Sequence, residues 1–222
     1  MATAEEISQC LDERVDDAAA VADLRTYFGG KRYEGRRFEL YDQGGDRPEV
    51  ANHFTAADIV ALTSLSVRVG PNVSWRILHD DADELADLLA KVPRDADLWE
   101  VDQEVVQQGQ PASDLWGRIR RMSEKRSDNS GRRRATAYKL LARKRPRLLP
   151  VYDNIVRRVL RLEWDENCWV LLREALSDAS LRQRIAQCGQ DAGVPEGVSL
   201  LRTLDVILWM YGDREFGKLS RR

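Results

Sequence analysis

Apolar residues in this chain recur at three- and four-residue spacing, in short runs that glycine or proline repeatedly cuts off. That pattern suits helices of modest length and leaves little room for sheet, which needs strict alternation. Residues 5–28 read as one amphipathic helix, with Ile7, Leu11, Val15, Ala18, Ala22 and Phe28 on a stripe and Gly29-Gly30 as its stop. Residues 31–54 are loop-like, with a short extended piece expected around Phe38 and Leu40. Thr55 and Asp58 form a capping-box pattern ahead of Ile59, Val60, Leu62, Leu65 and Val67, which lack polar relief and predict a central helix.

Further helices are predicted near 73–79, over 81–92 up to Pro93, over 113–126 and 135–144, over 154–162 beyond Pro146 and Pro150, and near 165–177, 180–192 and 199–211. The expected fold class is therefore all-α: a single helical domain over 1–222, or two closely packed lobes. Leu115, Ile119, Leu140, Leu141, Val156 and Leu160 are expected to share its core.

Composition excludes several classes of protein. No apolar run approaches the roughly 20 residues that span a bilayer, so no membrane partner is expected. The N-terminus has neither a basic start nor an apolar signal core. Cys10, Cys168 and Cys188 are distant and odd in number, which suits a reducing compartment; a cytoplasmic location follows as an expectation. With no C-x-x-C pair and only His53 and His79, no metal site built on Cys or His and no cofactor are expected.

The formal net charge of −2 hides a strong asymmetry. Residues 118–163 hold 16 Lys and Arg against 4 Asp and Glu, while the rest holds 19 against 33. A basic segment on an acidic body points to a polyanion partner, or to a segment that folds back and neutralises the body. Within it the order is helix, polar turn, helix, proline link, aspartate, helix. The turn and second helix read Gly131-Arg132-Arg133-Arg134-Ala135-Thr136-Ala137; the aspartate stands in Pro150-Val151-Tyr152-Asp153, followed by Val156-Arg157-Arg158-Val159-Leu160.

Over residues 113–163 this arrangement resembles the helix-hairpin-helix superfamily of DNA base-excision glycosylases, whose hairpin reads G-[VI]-G-x-x-T-A. Their catalytic aspartate follows P-x-D or P-x-x-D at the start of a helix carrying V-x-R. The P-x-x-D form with V-x-R-V-L after it is similar to the adenine-specific branch. Ala135 falls where bifunctional members carry a lysine nucleophile, and Asp153 lies 18 residues later, the family's spacing. The run TAYKLLARKRPRLLPVYD also resembles an uncharacterised bacterial family of unknown function.

The first resemblance implies a helix-hairpin-helix glycosylase-like domain that binds DNA, with Asp153 as the catalytic carboxylate of a monofunctional DNA glycosylase. Gly131, Arg132, Arg133, Arg134, Thr136, Lys139, Arg143 and Lys144 are the implied DNA contacts. The chain departs from the pattern at Arg132 and Arg133, which replace the hairpin's valine and second glycine. At Ala135 no Schiff-base lyase chemistry is implied, and the four-cysteine cluster after the aspartate is absent. A carboxylate at that position can stabilise a cationic sugar as a glycosidic bond breaks. It can equally be a helix N-cap and nothing more. The alternative reading is thus a non-catalytic module that binds nucleic acid or protein.

Overall fold

The computed structural model describes residues 2–122, 130–164 and 167–216, with backbone alone for 130–133. Among the described residues the regular structure is helical throughout, with no strand. The α-helices are α1 Ala4–Val15, α2 Ala20–Gly29, α3 Ala56–Ser64, α4 Pro71–Trp75, α5 Ala82–Ala90, α6 Pro111–Arg121, α7 Ser130–Lys144, α8 Asn154–Val159, α9 Cys168–Ala175, α10 Ala179–Ala192 and α11 Leu200–Phe216.

The local sequence explains most boundaries. Thr3 and Glu6 close a capping box on α1, and Thr55 and Asp58 close the one expected on α3. In the latter, Thr55 N donates to Asp58 Oδ2 at 2.8 Å and Asp58 N to Thr55 Oγ1 at 3.3 Å. The helix expected over 5–28 is instead two. The Asp17 carboxylate accepts the Ala19 N–H at 2.8 Å, a local bond that competes with continued helix, and the chain turns between Val15 and Ala20. Apolar spacing runs through that break, so periodicity alone misses it.

The extended piece expected around Phe38 and Leu40 is also absent. Short 3₁₀ turns at Glu34–Arg37 and Tyr41–Gln43 flank it, and Phe38 is buried. Packing overrides β-propensity here, because the carbonyls of this loop are gathered inward by side chains of α7.

Helix α11 is central. Every residue from Leu201 to Leu208 is buried, so it faces protein all round its N-terminal half. It packs on α2, α8 and α10. Gly212 permits the closest of these contacts: a Cβ there would meet Ile155 Cγ2 at 2.5 Å and Val159 Cγ2 at 2.8 Å. The larger core joins α1, α3, α5, α6, α7, α8 and α9, and contains all six residues expected to share it. A smaller core lies between α2, α10 and the far face of α11, around Leu24, Phe28, Ile207 and Met210. Among the described residues no helix is long and apolar enough to cross a membrane.

Candidate functional site

A cleft of about 880 Å³ opens where α2, the end of α3, α7, the start of α8 and α11 approach one another. Asp153 stands on its wall. This residue is the N-cap of α8: its Oδ1 accepts the N–H groups of Ile155 (3.0 Å) and Val156 (3.2 Å). Its Oδ2 accepts from Lys139 Nζ at 3.1 Å. One carboxylate therefore ends a helix with one oxygen and presents the other, charge-paired, to a cavity.

Lys139 is positioned by an unusual turn. Helix α3 ends with Ser66 in left-handed backbone, φ 60°, and Val67 N donates back to Leu62 O at 3.1 Å. Glycine usually occupies such a position, because a Cβ makes it costly. The turn carries the Leu65 carbonyl to Lys139 Nζ, at 3.1 Å, so the ammonium bridges the end of α3 and the start of α8.

The opposite wall is aromatic and ionic. Tyr27 and Tyr33 stack with centroids 5.4 Å apart, and Trp209 sets its edge against Tyr33 at 5.8 Å. Beneath them Arg202 of α11 donates through Nε to Glu39 at 2.7 Å, through NH2 to the Tyr27 hydroxyl at 2.7 Å and to Gly35 O at 3.0 Å, and through NH1 to Asp205 Oδ2. Gly35 is required there, since a Cβ would fall 2.0 Å from the Tyr27 oxygen.

Asp205 lines the cleft and is 3% exposed. Its Oδ1 has no hydrogen-bond partner among the described residues, and neither has Glu39 Oε2. Burial pushes the Asp205 carboxyl up, to about 7; the Asp153 charge adds to this, and Arg202 and Lys139 oppose it. The cluster holds two cations, Arg202 and Lys139, against three carboxyls, Glu39, Asp153 and Asp205.

The residues expected to hold DNA divide sharply. Arg143 and Lys144 are corrected: both are buried, and both are used up inside the protein. Arg143 donates to Asp58, Phe38 O and Tyr41 O, while Lys144 donates to Gly45 O (3.0 Å) and Val50 O (3.1 Å) and pairs with Asp58 at 2.5 Å. Arg145, also fully buried, donates to Leu89 O, Val92 O, Ala51 O, Lys144 O and Asn52 Oδ1. None of the three is free to meet an external phosphate.

Lys139 reaches the cleft, but as the partner of Asp153 rather than as a phosphate contact. Thr136 is half-buried. Arg134 is half-buried with its guanidinium 5.7 Å from the centre of the Trp164 ring. The hairpin turn expected over 127–134 is corrected in part: α7 begins at Ser130, so Gly131–Arg134 have helical backbone. The side chains of Arg132 and Arg133, and residues 123–129 of the expected turn, lie outside what the structure describes.

The inward turn of Lys144 and Arg145 has a sequence signal. Ala137, Leu140, Leu141, Lys144 and Arg145 follow the i, i+3, i+4, i+7, i+8 spacing of one buried stripe, so the two cations extend the apolar face. Arg202 and Asp205 carry a similar signal, a charged i, i+3 pair inside the apolar run LLRTLDVILWM. Charges there are costly unless partnered. Tyr33 and Trp209 carry no such signal.

No curated protein and no solved structure matches the chain. Residues 20–212 match a family described as a family of unknown function (DUF6308). The matched span includes every side chain that lines the cleft.

Proposed function

The chain belongs to this family of unknown function, and we propose that its cleft binds a nucleobase displaced from or ending a nucleic-acid strand, with Asp153 as the carboxylate that stabilises the sugar cation when the glycosidic bond breaks. The observation that carries this reading is the double use of Asp153, whose Oδ1 caps α8 while Oδ2 stands in the cleft beside Lys139. A volume of about 880 Å³ suits a nucleoside-sized ligand. Tyr33 and Trp209 offer ring surfaces, a common way to hold a base out of its stack.

Backbone contacts then fall to exposed Arg32 at the cleft lining and to Arg132, Arg133 and Arg134 near the start of α7. Cations there oppose the positive end of the helix dipole, and an anion such as phosphate relieves that opposition. Residue 135 is alanine and Lys139 Nζ is engaged by Leu65 O and Asp153, so the reading is a monofunctional glycosylase-like hydrolysis.

One observation favours a second reading, a non-catalytic nucleic-acid- or protein-binding module: both Asp153 oxygens already have protein partners. Asp153→Asn separates the two. The amide oxygen still caps α8, while the charge facing the cleft is lost. Base release from a panel of mismatched and damaged duplexes by the parent chain, and its loss in Asp153→Asn with retained fold and DNA affinity, is the expected result. A parent chain that retains DNA yet releases no base from any member supports the binding module instead.

A further inference from the structure

Breaking an N-glycosidic bond needs two things at opposite ends of that bond. Charge must be stabilised on the sugar, and a proton must reach the departing base, which leaves poorly as an anion. Asp153, paired with Lys139, serves the first need on the reading above. The sequence shows no residue for the second.

We propose that Asp205 is the proton donor of the cleft, the general acid that protonates a ring nitrogen of the departing base. This rests on the glycosidic reading and adds a catalytic residue to it. The argument is first geometric. Asp205 lines the same cleft as Asp153, on α11 rather than at the start of α8. Arg202 NH1 donates to Oδ2, so that oxygen is an acceptor and the proton of a neutral carboxyl belongs on Oδ1. Oδ1 is buried and is the oxygen with no partner among the described residues.

The groups around Asp205 fix its charge state. Arg202 from its own helix is shared with Glu39 and the Tyr27 hydroxyl, so it is not a dedicated counter-ion. Lys139 from α7 is engaged by Asp153. The Asp153 charge itself favours the neutral form of Asp205, and burial favours it more. The surroundings thus favour a neutral Asp205 in the cleft that Asp153 also lines, and a site can in this way supply an acid-like group beside a second carboxyl.

The step balances. As the bond between C1′ and the base nitrogen breaks, its electron pair leaves with the base, and the Asp205 Oδ1 proton moves to a ring nitrogen. The Asp153 carboxylate faces the positive charge left on the sugar. Water adds to C1′, and the proton it sheds returns to the Asp205 carboxylate. One water is consumed, and both aspartates end as they began.

The test uses the full chain and two kinds of duplex, one with an unmodified purine in a mismatch and one with N7-methylguanine, whose base already carries positive charge and leaves without a proton. Carboxyl ¹³C NMR of the parent chain should show Asp205 titrating near 7, and Asp153→Asn should lower that midpoint. Asp205→Asn should slow release of the unmodified purine by roughly 10²–10⁴-fold and release of N7-methylguanine by less than about tenfold. An Asp205 ionised throughout pH 5–8 overturns the assignment even where Asp205→Asn fails to fold, because that measurement needs no variant. Equal release of both bases by parent and Asp205→Asn overturns the acid alone. Release of neither base by the parent, with Asp205 still titrating near 7, overturns the glycosidic reading and the acid's role with it.

Discussion

Two buried ionic clusters lie on either side of the Phe38 ring, which both Arg143 and Arg202 approach, and they differ in one respect. Around Asp58, the cations Arg143, Lys144 and neighbouring Arg145 spend their donors on the carboxylate, on an asparagine and on backbone carbonyls. No side-chain atom of these four residues is left buried without a partner. Around Arg202, two carboxyl oxygens, on Glu39 and Asp205, have none among the described residues, and the cluster borders a cleft. The first is scaffolding. It supplies donors to a loop, residues 38–51, that has little regular structure to satisfy its own carbonyls. The second keeps unspent hydrogen-bonding capacity beside a cavity, the condition for acting on something else. A buried charge alone does not mark a site; a buried carboxyl with an unpartnered oxygen, on a residue that lines a cavity, points to one.

Removing a cation from the satisfied cluster should produce the largest loss of stability. Arg145→Met takes a donor from five internal acceptors. The expected cost is about 3–5 kcal/mol, read as a fall in the denaturation midpoint. A variant as stable as the parent would erase the distinction drawn between the clusters.

Next comes pH. Burial pushes the Asp205 carboxyl up to about 7 in the folded chain, from 3.8 for an unperturbed aspartate. The folded state therefore holds more protons between those values. Its contribution to stability is full below about pH 4, declines as pH rises through the window, and is lost above about 7, a swing of at most about 4 kcal/mol. Carboxylates pushed down by their partners, such as Asp81 beside Arg76 and Asp178 beside Ser180, act in the opposite direction. The informative quantity is thus the difference between parent and Asp205→Asn across the window. A difference that stays constant from pH 4 to 8 contradicts the perturbed carboxyl.

Asp153→Asn sits between the clusters in character. The retained cap should limit its stability loss to about 1 kcal/mol, with base release abolished. A loss as large as that of Arg145→Met would move Asp153 into the scaffold class.

The smallest effect is expected at exposed Arg32: its replacement by alanine should change stability by no more than about 0.5 kcal/mol. If it meets a phosphate, the logarithmic salt dependence of duplex binding should flatten by about 0.9. An unchanged slope removes Arg32 from the proposed interface.

Local signals carried far in this chain. The Thr55–Asp58 box, the N-cap at Asp153 and the six-residue core around Leu115 and Leu140 were all legible, because each depends on residues a turn or two apart or on simple helical period. The break at Asp16-Asp17 was not, since a side-chain bond of Asp17 outweighs an apolar stripe that runs unbroken through it. The basic segment misled for a related reason. Charge counting treats every Lys and Arg as outward, whereas the period of α7 sends Lys144 and Arg145 to the core side.

By itself, then, the sequence determined helix type, the main caps, the apolar stripes and the position of Asp153 at the start of a helix, all governed by short-range backbone and side-chain physics. Tertiary structure alone decided the partners. Lys144 meets Asp58, Arg202 meets Glu39 and Tyr27, and Lys139 meets both Leu65 and Asp153 only after distant helices have packed. The state of a buried carboxyl depends on what else shares its low-dielectric surroundings. Asp205 becomes a candidate acid only because folding places it beside Asp153, under one shared arginine and at the wall of a cleft.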